Sequence, residues 1–443
     1  MMPSRLGLPL LLSLFAVSLS ATPELKPVVE AKVNAEYPSL EAIYKDLHAH
    51  PELAFMEVNT AALLAKELRA AGFEVTEKVG ITGVVAVLKN GPGPTVLVRA
   101  DMDGLPIKEA TGLPYASTAV VKDLSGKDQS AMHACAHDTH VTGLIGTARV
   151  LAAMKSQWSG TVVLIGQPAE EIVGGARAML TDGLYTRFPK PDYALALHTW
   201  AQLPAGVIGY GEGPFLAGAA AVDILVRGVS GHGSSPHLAK DPVVLAAEIV
   251  GVLQTIVSRE MKPGTVAVVT VGSIHGGTKR NIIPEEVKLE LTLRAYDDQV
   301  MEQMIASIRR ICTGLGVAAG LPADKLPVVT LMPDSIGVTS NEAALTRRLA
   351  GVFTAWLGAD RVQDFPPVTG AEDFSLFGKT VDKIPTTIWF VGATAPEKFA
   401  ESKLTGVPVP SNHNFGFAPV PEPTIKAAVT SMSAAVLDLL GKK

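Results

Sequence analysis

The sequence predicts an α/β protein: a mostly parallel sheet covered by helices on both faces, with a smaller α+β domain inserted into it. Three observations carry that expectation. Short apolar runs, such as 161–166 and 193–197, alternate with segments of helical spacing. Between about residues 221 and 331 the order changes to β-α-β-β-α-β, the ferredoxin-like unit. The chain of 443 residues, 47% apolar and 18% charged, is also longer than a single core holds, so two domains are expected.

Taken in order, the N-terminus comes first. Arg5 precedes the apolar stretch 6–17, followed by Ser18, Ser20 and Ala21 and then Thr22-Pro23. A basic start, a short apolar core and a small-residue cleavage zone read as a secretory signal over residues 1–21. Export places the mature chain in the periplasm or outside the cell. No later apolar run is read as long and uncharged enough to span a bilayer, so no stable membrane insertion is expected after cleavage. Residues 24–39 read as a leader into a first helix over 40–47. Residues 59–71 have helical spacing, and Gly72 stops them. Residues 95–99 form a strand that ends at Asp101-Met102-Asp103, and 139–154 a helix rich in Leu, Ala and Gly. The β-branched run 161–166, between Gly160 and Gly166, is a buried strand, and 193–197 is another.

The glycine-rich stretch 211–218 closes the first part of the main domain, 24–216. The inserted domain, 217–332, holds strand 221–226, helix 242–259, strands 265–271 and 287–295, helix 298–314 and strand 326–331. Residues 333–443 complete the main domain. Cys312 falls in the second of those helices and reads as a small buried hydrophobe, so no disulfide is expected even though export allows one. A net charge of −5 and a pI near 6.1 offer no basic field for nucleic acid.

The reactive residue types concentrate at a few strand ends. Residues 132–140 read Met-His-Ala-Cys-Ala-His-Asp-Thr-His and place one of two cysteines and three of ten histidines in nine positions. Sulfur, imidazole and carboxylate together suit a transition metal. Glu170-Glu171 follow Gln167-Pro168-Ala169 at the exit of strand 161–166. Alone, such a pair reads as a solvated helix start. Beside a Cys/His cluster, one carboxylate can hold a metal while the other takes a proton. His198 ends the run 193–197, and His413 lies in the Pro/Asn-rich segment 408–414. A lone histidine is usually no ligand. Ligands scattered over separate strand ends are nevertheless normal for open α/β sheets, whose sites form at the carboxyl edge.

Further motifs run along the chain in order. They are His48-Ala49-His50-Pro51-Glu52-Leu53-Ala54-Phe55 and Arg99-Ala100-Asp101-Met102-Asp103-Gly104-Leu105-Pro106-Ile107, then the Cys135 and Glu170 segments. Gly231-His232-Gly233-Ser234-Ser235-Pro236-His237, Asn281-Ile282-Ile283-Pro284, Arg294 and Gly370-Ala371-Glu372-Asp373-Phe374 follow. This series resembles the aminoacylase, hippurate hydrolase and auxin-conjugate (indole-acetyl-amino-acid) hydrolase family of dinuclear metallopeptidases, in its cysteine-ligand branch. One departure is Ala136, where that family usually carries glycine.

The resemblance implies a zinc-exopeptidase-like catalytic domain with a lid and dimerisation domain. It makes Cys135, His137, Glu171, His198 and His413 the ligands of two divalent ions, with Cys135 as a bridging thiolate. Those ions are expected to be Mn²⁺ or Zn²⁺, with Co²⁺ or Ni²⁺ as substitutes. It makes Glu170 the general base and Asp103 an orienting carboxylate. His232 stabilises the tetrahedral oxyanion, often across a homodimer, and Asn281 and Arg294 hold the substrate's α-carboxylate. His140, His237 and Glu372 are left supporting roles, with His140 the first replacement if a ligand is misassigned. The implied reaction is hydrolysis of an N-acyl-L-amino acid or short peptide. A di- or carboxypeptidase or an aminobenzoyl-glutamate-type hydrolase shares that chemistry. A metal-free cysteine hydrolase using Cys135 and a non-catalytic periplasmic binding protein remain as rivals, although a pure binder has no use for Glu170.

Overall fold

The computed structural model describes residues 23–442, so the expected signal segment lies outside the described residues. An eight-stranded sheet dominates. Its order is Glu74–Val79, Gly83–Asn90, Gly160–Gln167, Thr95–Asp101, Tyr193–Pro204, Thr386–Thr394, Ile208–Tyr210 and Val362–Asp364. The four strands from Gly160–Gln167 through Thr386–Thr394 run parallel, as the alternating pattern predicts. They are buried on both faces, which is why they read as continuous apolar runs. Val96, Val98, Val162 and Leu164 point into a core shared with helices Lys26–Ala49, Val58–Ala70, His137–Ala153, Ala343–Leu357 and Pro421–Leu440. Leu97, Val163 and Ile165 point the other way, onto Ala176, Met179 and Phe377. Two of the covering helices meet closely at Gly146, where an added Cβ would lie 2.5 Å from Val429 Cγ2.

The first helix corrects the sequence reading. It spans Lys26–Ala49 and takes in residues read as a leader. Val29, Val33, Leu40, Tyr44 and Leu47 form one buried stripe that continues past Pro38. Burial of that stripe outweighs the cost of an interior proline, about 3 kcal/mol. Two smaller differences matter at the site. The strand Tyr193–Pro204 runs through His198 instead of ending before it, and His198 pairs with Phe390. The helix after the Cys/His cluster starts at His137, two residues earlier than expected.

The second sheet runs Ala267–Gly276, Glu286–Ala295, Gly218–Arg227, Val328–Leu331, with every neighbour antiparallel. In chain order that is 2-3-1-4, the ferredoxin-like arrangement, backed by helices Pro242–Thr255 and Asp298–Ala318. Cys312 is buried in this core as a free thiol. The chain leaves and returns side by side, through the antiparallel ribbon of Gly213–Leu216 and Thr339–Asn341. One expectation about apolar runs is corrected here. The segment Pro242–Glu260 is long and apolar enough to cross a membrane by length and composition. In the fold, its Leu245, Ala246, Ile249, Leu253 and Ile256 side chains pack into the core of the four-stranded sheet.

A buried ionic cluster ties the first helix to the helix at the Cys/His motif. His48 Nδ1 donates to Asp138 (2.7 Å) and Nε2 to Glu109 (3.1 Å), with all three side chains inaccessible. Burial lowers the basicity of the ring, but the two carboxylates outweigh it and push its pKa up to about 9. A folded-state pKa raised above the unfolded value gives stability that is complete below about pH 6.5 and lost as pH rises through about 9. The shift is worth on the order of 3 kcal/mol. In denaturant titrations, His48 should contribute that much to the stability the parent loses between pH 6.5 and 9.5, whereas His48→Asn should be less stable at pH 6.5 and show a shallower slope. Equal slopes in both proteins would contradict the account.

Candidate active site

The candidate residues gather at the carboxyl edge of the parallel strands. Asp101 pairs with Gln167 in register, so Asp103 and the Glu170-Glu171 pair leave the sheet side by side. Asp103 uses both carboxylate oxygens to accept the backbone N–H groups of Glu170 (3.1 Å) and Glu171 (3.0 Å). Its backbone carbonyl accepts His137 Nδ1–H (2.8 Å), which turns Nε2 toward the acids. Ala136, between Cys135 and His137, is left-handed (φ 66°). The alanine therefore carries the strain that a glycine would avoid, about 1 kcal/mol, while its methyl packs against Ala201, Ala393 and Phe417. Ala169, Val173 and His413 are left-handed as well, so among the described residues four of the eight non-glycine positions with positive φ lie in these loops.

Cys135 is the hub. Its Sγ lies 3.4 Å from His198 Nε2 and 3.2 Å from His413 Nε2, and His413 Nε2 lies 3.4 Å from Glu171. Cys135, His137 and His198 form one group of potential donors lying within 4.8 Å of one another, and Cys135, Glu171 and His413 form a second. His198 Nδ1–H donates to Thr199 O (2.8 Å), which leaves Nε2 free on the sulfur side. Asp101, His137 and His140 also lie close together, but His140 is not available. Its Nδ1 makes a very short bond to Asp101, and its Nε2 accepts Thr199 N–H (2.7 Å). Asp101 is itself held by Arg99 (2.6 Å).

Burial sets the protonation of the cluster. It pushes the Cys135 thiol well above its ordinary pKa, with Glu171 and Glu170 adding to the shift. Glu171 rises to about 8 through burial, against the pull of His137. Glu170 rises well above the carboxylate range through burial and then through Glu372 and Glu171. Burial lowers His137, but Asp101, Asp103 and Glu171 outweigh it and lift the ring to about 10. The pocket thus crowds acids whose burial favours their protonated forms, and it holds a proton on His137. Beneath it, Arg99 is fully buried and bonded to Asp101, Glu372, Asp373 and Gln167.

A cleft of about 410 Å³ opens above the cluster. Its lining includes Cys135, Glu170, Glu171, His198 and His413 together with Thr292 and Arg294 of the inserted domain. Arg294 donates only to Thr292 Oγ1 and Leu293 O, with no carboxylate partner among the described residues. The fold therefore brings together Glu170, Asp103, Arg294, Cys135, His137, Glu171, His198 and His413. His232 and Asn281 stay outside. They are exposed on a short ribbon of the inserted domain, where His232 bonds Ser234 and Asn281 O accepts Gly233 N–H.

Two further supports lie outside the motifs. Glu57 accepts the N–H groups of Phe55 and Ala169 (2.9 and 2.8 Å) and so fixes the turn before Glu170. No local signal marks it. Asn412 bonds across to Ala201 and Thr199, and only its place beside His413 hints at a role. Asp103→Asn should expose the importance of such supports, because an amide nitrogen cannot accept a backbone N–H. Metal affinity is expected to fall about 10–100-fold, measured by competition with a chromophoric chelator. Affinity equal to the parent's would show that the turn is held without Asp103.

Two donor groups sharing one sulfur, with a buried acid beside them and a cleft above, define a metal-assisted hydrolase. Comparison with known proteins makes that class specific. Residues 97–404 match the model of Peptidase family M20/M25/M40. The chain is 40% identical over 342 residues to a hippurate hydrolase of Campylobacter jejuni, covering 76% of this chain and 84% of that one. It is 36% identical over 360 residues to thermostable carboxypeptidase 1 of Saccharolobus solfataricus, covering 80% and 86%. A Bacillus subtilis structure described as a dinuclear metal binding peptidase from M20 family superposes with a TM-score of 0.74 at 28% identity, covering 92% and 99%. The chain belongs to the M20 family and is a metal-dependent hydrolase of linear amides.

Proposed function

We propose that the enzyme hydrolyses the amide bond of N-acyl-L-amino acids, hippurate-like conjugates among them, and releases the free amino acid. The observation that carries this reading is the unpaired guanidinium of Arg294, facing the same cleft as Glu170 and the donor groups. A guanidinium fork suits the α-carboxylate of the amino-acid half. The names of the hippurate hydrolase and N-acetylcysteine deacetylase relatives agree.

The residues fit two divalent ions. His137 Nε2 and Glu171 Oε1 are buried without a hydrogen-bond partner, as donors awaiting a cation are. Cys135, His137 and His198 would hold one ion, and Cys135, Glu171 and His413 the other. Zinc suits sulfur and imidazole, and manganese is the alternative that the resemblance supplies. Such a centre supplies Lewis-acid activation of the scissile carbonyl and of the attacking water. Glu170 takes one proton from that water as the oxygen adds to the carbonyl carbon. It then delivers the proton to the amide nitrogen as the C–N bond breaks, leaving a carboxylic acid and a free amine. Asp103 keeps Glu170 and Glu171 in register.

His232 and Asn281 are exposed and away from their own cleft, which supports a homodimer in which each serves the partner subunit's site, His232 at the developing oxyanion. The basic and apolar N-terminal segment supports export to the periplasm or beyond. A carboxypeptidase reading is second, since a peptide also presents an α-carboxylate to Arg294 and one relative bears that name.

The test is release of free amino acid from N-acetyl, N-benzoyl and dipeptide substrates by the mature protein, before and after metal removal. Turnover should vanish on chelation, return with Mn²⁺ or Zn²⁺, and favour N-acyl substrates. Turnover that survives chelation would point to a metal-free cysteine hydrolase. Preference for dipeptides would favour the peptidase reading, and a metal-loaded but inert protein would favour a binding role.

A further inference from the structure

We propose that Asn412 is a positioning residue of the metal centre. It fastens the loop that carries His413 to the strand that carries His198, and it turns an amide N–H toward Cys135. The inference rests on reading Cys135, His198 and His413 as metal donors.

Residues 406–416 run mostly over the surface, and the His413 side chain is 53% exposed. His413 is also left-handed, with φ 66°, a conformation that a non-glycine residue keeps only when its surroundings hold it. A donor on such a segment needs an anchor. One is backbone: His413 N–H donates to Ala134 O at 2.8 Å, next to Cys135. The other is the Asn412 carboxamide. Its Oδ1 accepts Ala201 N–H at 3.0 Å, and its Nδ2 donates to Thr199 O at 2.9 Å. The same Thr199 carbonyl accepts His198 Nδ1–H at 2.8 Å, so a single oxygen orients one donor ring and the loop that carries another. Asn412 Nδ2 also lies 3.5 Å from Cys135 O and 4.0 Å from Cys135 Sγ. One side chain thus touches the segments that present three of the donors, and one of these, Cys135, belongs to both donor groups.

The chemistry requires an amide. Oδ1 must accept and Nδ2 must donate at the same time, which alanine and leucine do not do and which a carboxylate does only in half. An N–H beside a thiolate stabilises the sulfur lone pairs. Taking it away raises those lone pairs in energy, so charge transfer from sulfur to a bound metal moves to longer wavelength. A residue that merely tidies the loop leaves that absorption where it was.

The experiment is a cobalt(II) titration of the metal-stripped full-length protein, comparing the parent with Asn412→Ala and the shape-preserving Asn412→Leu. The readouts are cobalt affinity, the near-ultraviolet sulfur-to-cobalt absorption and the melting of the metal-free protein. In both variants affinity should fall about tenfold or more, and the absorption should move to longer wavelength while the metal-free protein melts as the parent does. Affinity within twofold of the parent, or an absorption that does not move, overturns the proposal. Absence of the sulfur-to-cobalt absorption in the parent itself would instead overturn the reading of Cys135 as a metal donor.

Discussion

Glu170→Gln is expected to lower kcat by about 10²–10⁴-fold while the protein keeps its metal. The residue is 7% exposed and lines the cleft. It stands outside both groups that share Cys135, although it lies within 4.8 Å of His137 and Glu171, and its carboxylate is 4.0 Å from His137 Nε2. Its elevated pKa comes from burial and from Glu372 and Glu171, and such a carboxyl is suited to accept a proton from water and return it to an amine. Glutamine has the same shape and cannot do either. It also removes one acid from a crowded acidic pocket, so the variant should melt no lower than the parent. Steady-state kinetics beside metal analysis check this. A variant that keeps a tenth of the parent's turnover would remove Glu170 from the proton path.

Arg99→Met should cost about 3–5 kcal/mol of unfolding free energy. The guanidinium is 1% exposed and meets Asp101 at 2.6 Å, Glu372 at 2.7 Å and Asp373 at 3.2 Å, with Nε–H on Gln167 at 2.9 Å. Burial already raises Asp373 to about 7 even though Arg99 pulls it down. Methionine fills much of the volume and leaves three buried carboxylates without the guanidinium they share. Part of the loss should return at low pH, where those acids take up protons. Arg99→Lys, which keeps the charge but loses the fork, should fall between the two. A denaturant midpoint for Arg99→Met matching the parent's would mean that the acids are neutral without any help from Arg99.

Much of this centre is legible in the residue string because its chemistry is local there. Cys135-Ala136-His137 and Glu170-Glu171 are contiguous, and β-branched runs bounded by glycine mark strands whose ends must share one edge. The β-α-β-β-α-β order likewise reads directly as a four-stranded antiparallel unit. Local patterns become ambiguous where tertiary burial takes over. Pro38 looks like a helix boundary, yet the buried stripe from Val29 to Leu47 carries the helix through it. His198 looks like the end of a strand, yet pairing with Phe390 extends that strand to Pro204.

The kinds of donor, their order along the strands and the acid that accompanies them are all written in the residue string. Which of them meet is settled by folding. Cys135 and His413 are 278 positions apart and lie 3.2 Å from each other, a distance that no spacing rule encodes. His140 and His137 are equivalent by type and lie a helical turn apart, but the folded backbone of Thr199 takes one nitrogen of His140 and Asp101 the other. Arg99, Glu57 and Asn412 acquire their roles in the same way, by being buried or tethered against partners from distant segments. Side-chain chemistry is a property of the residue, whereas ligation, protonation and support are properties of the neighbours, and the fold alone assigns those.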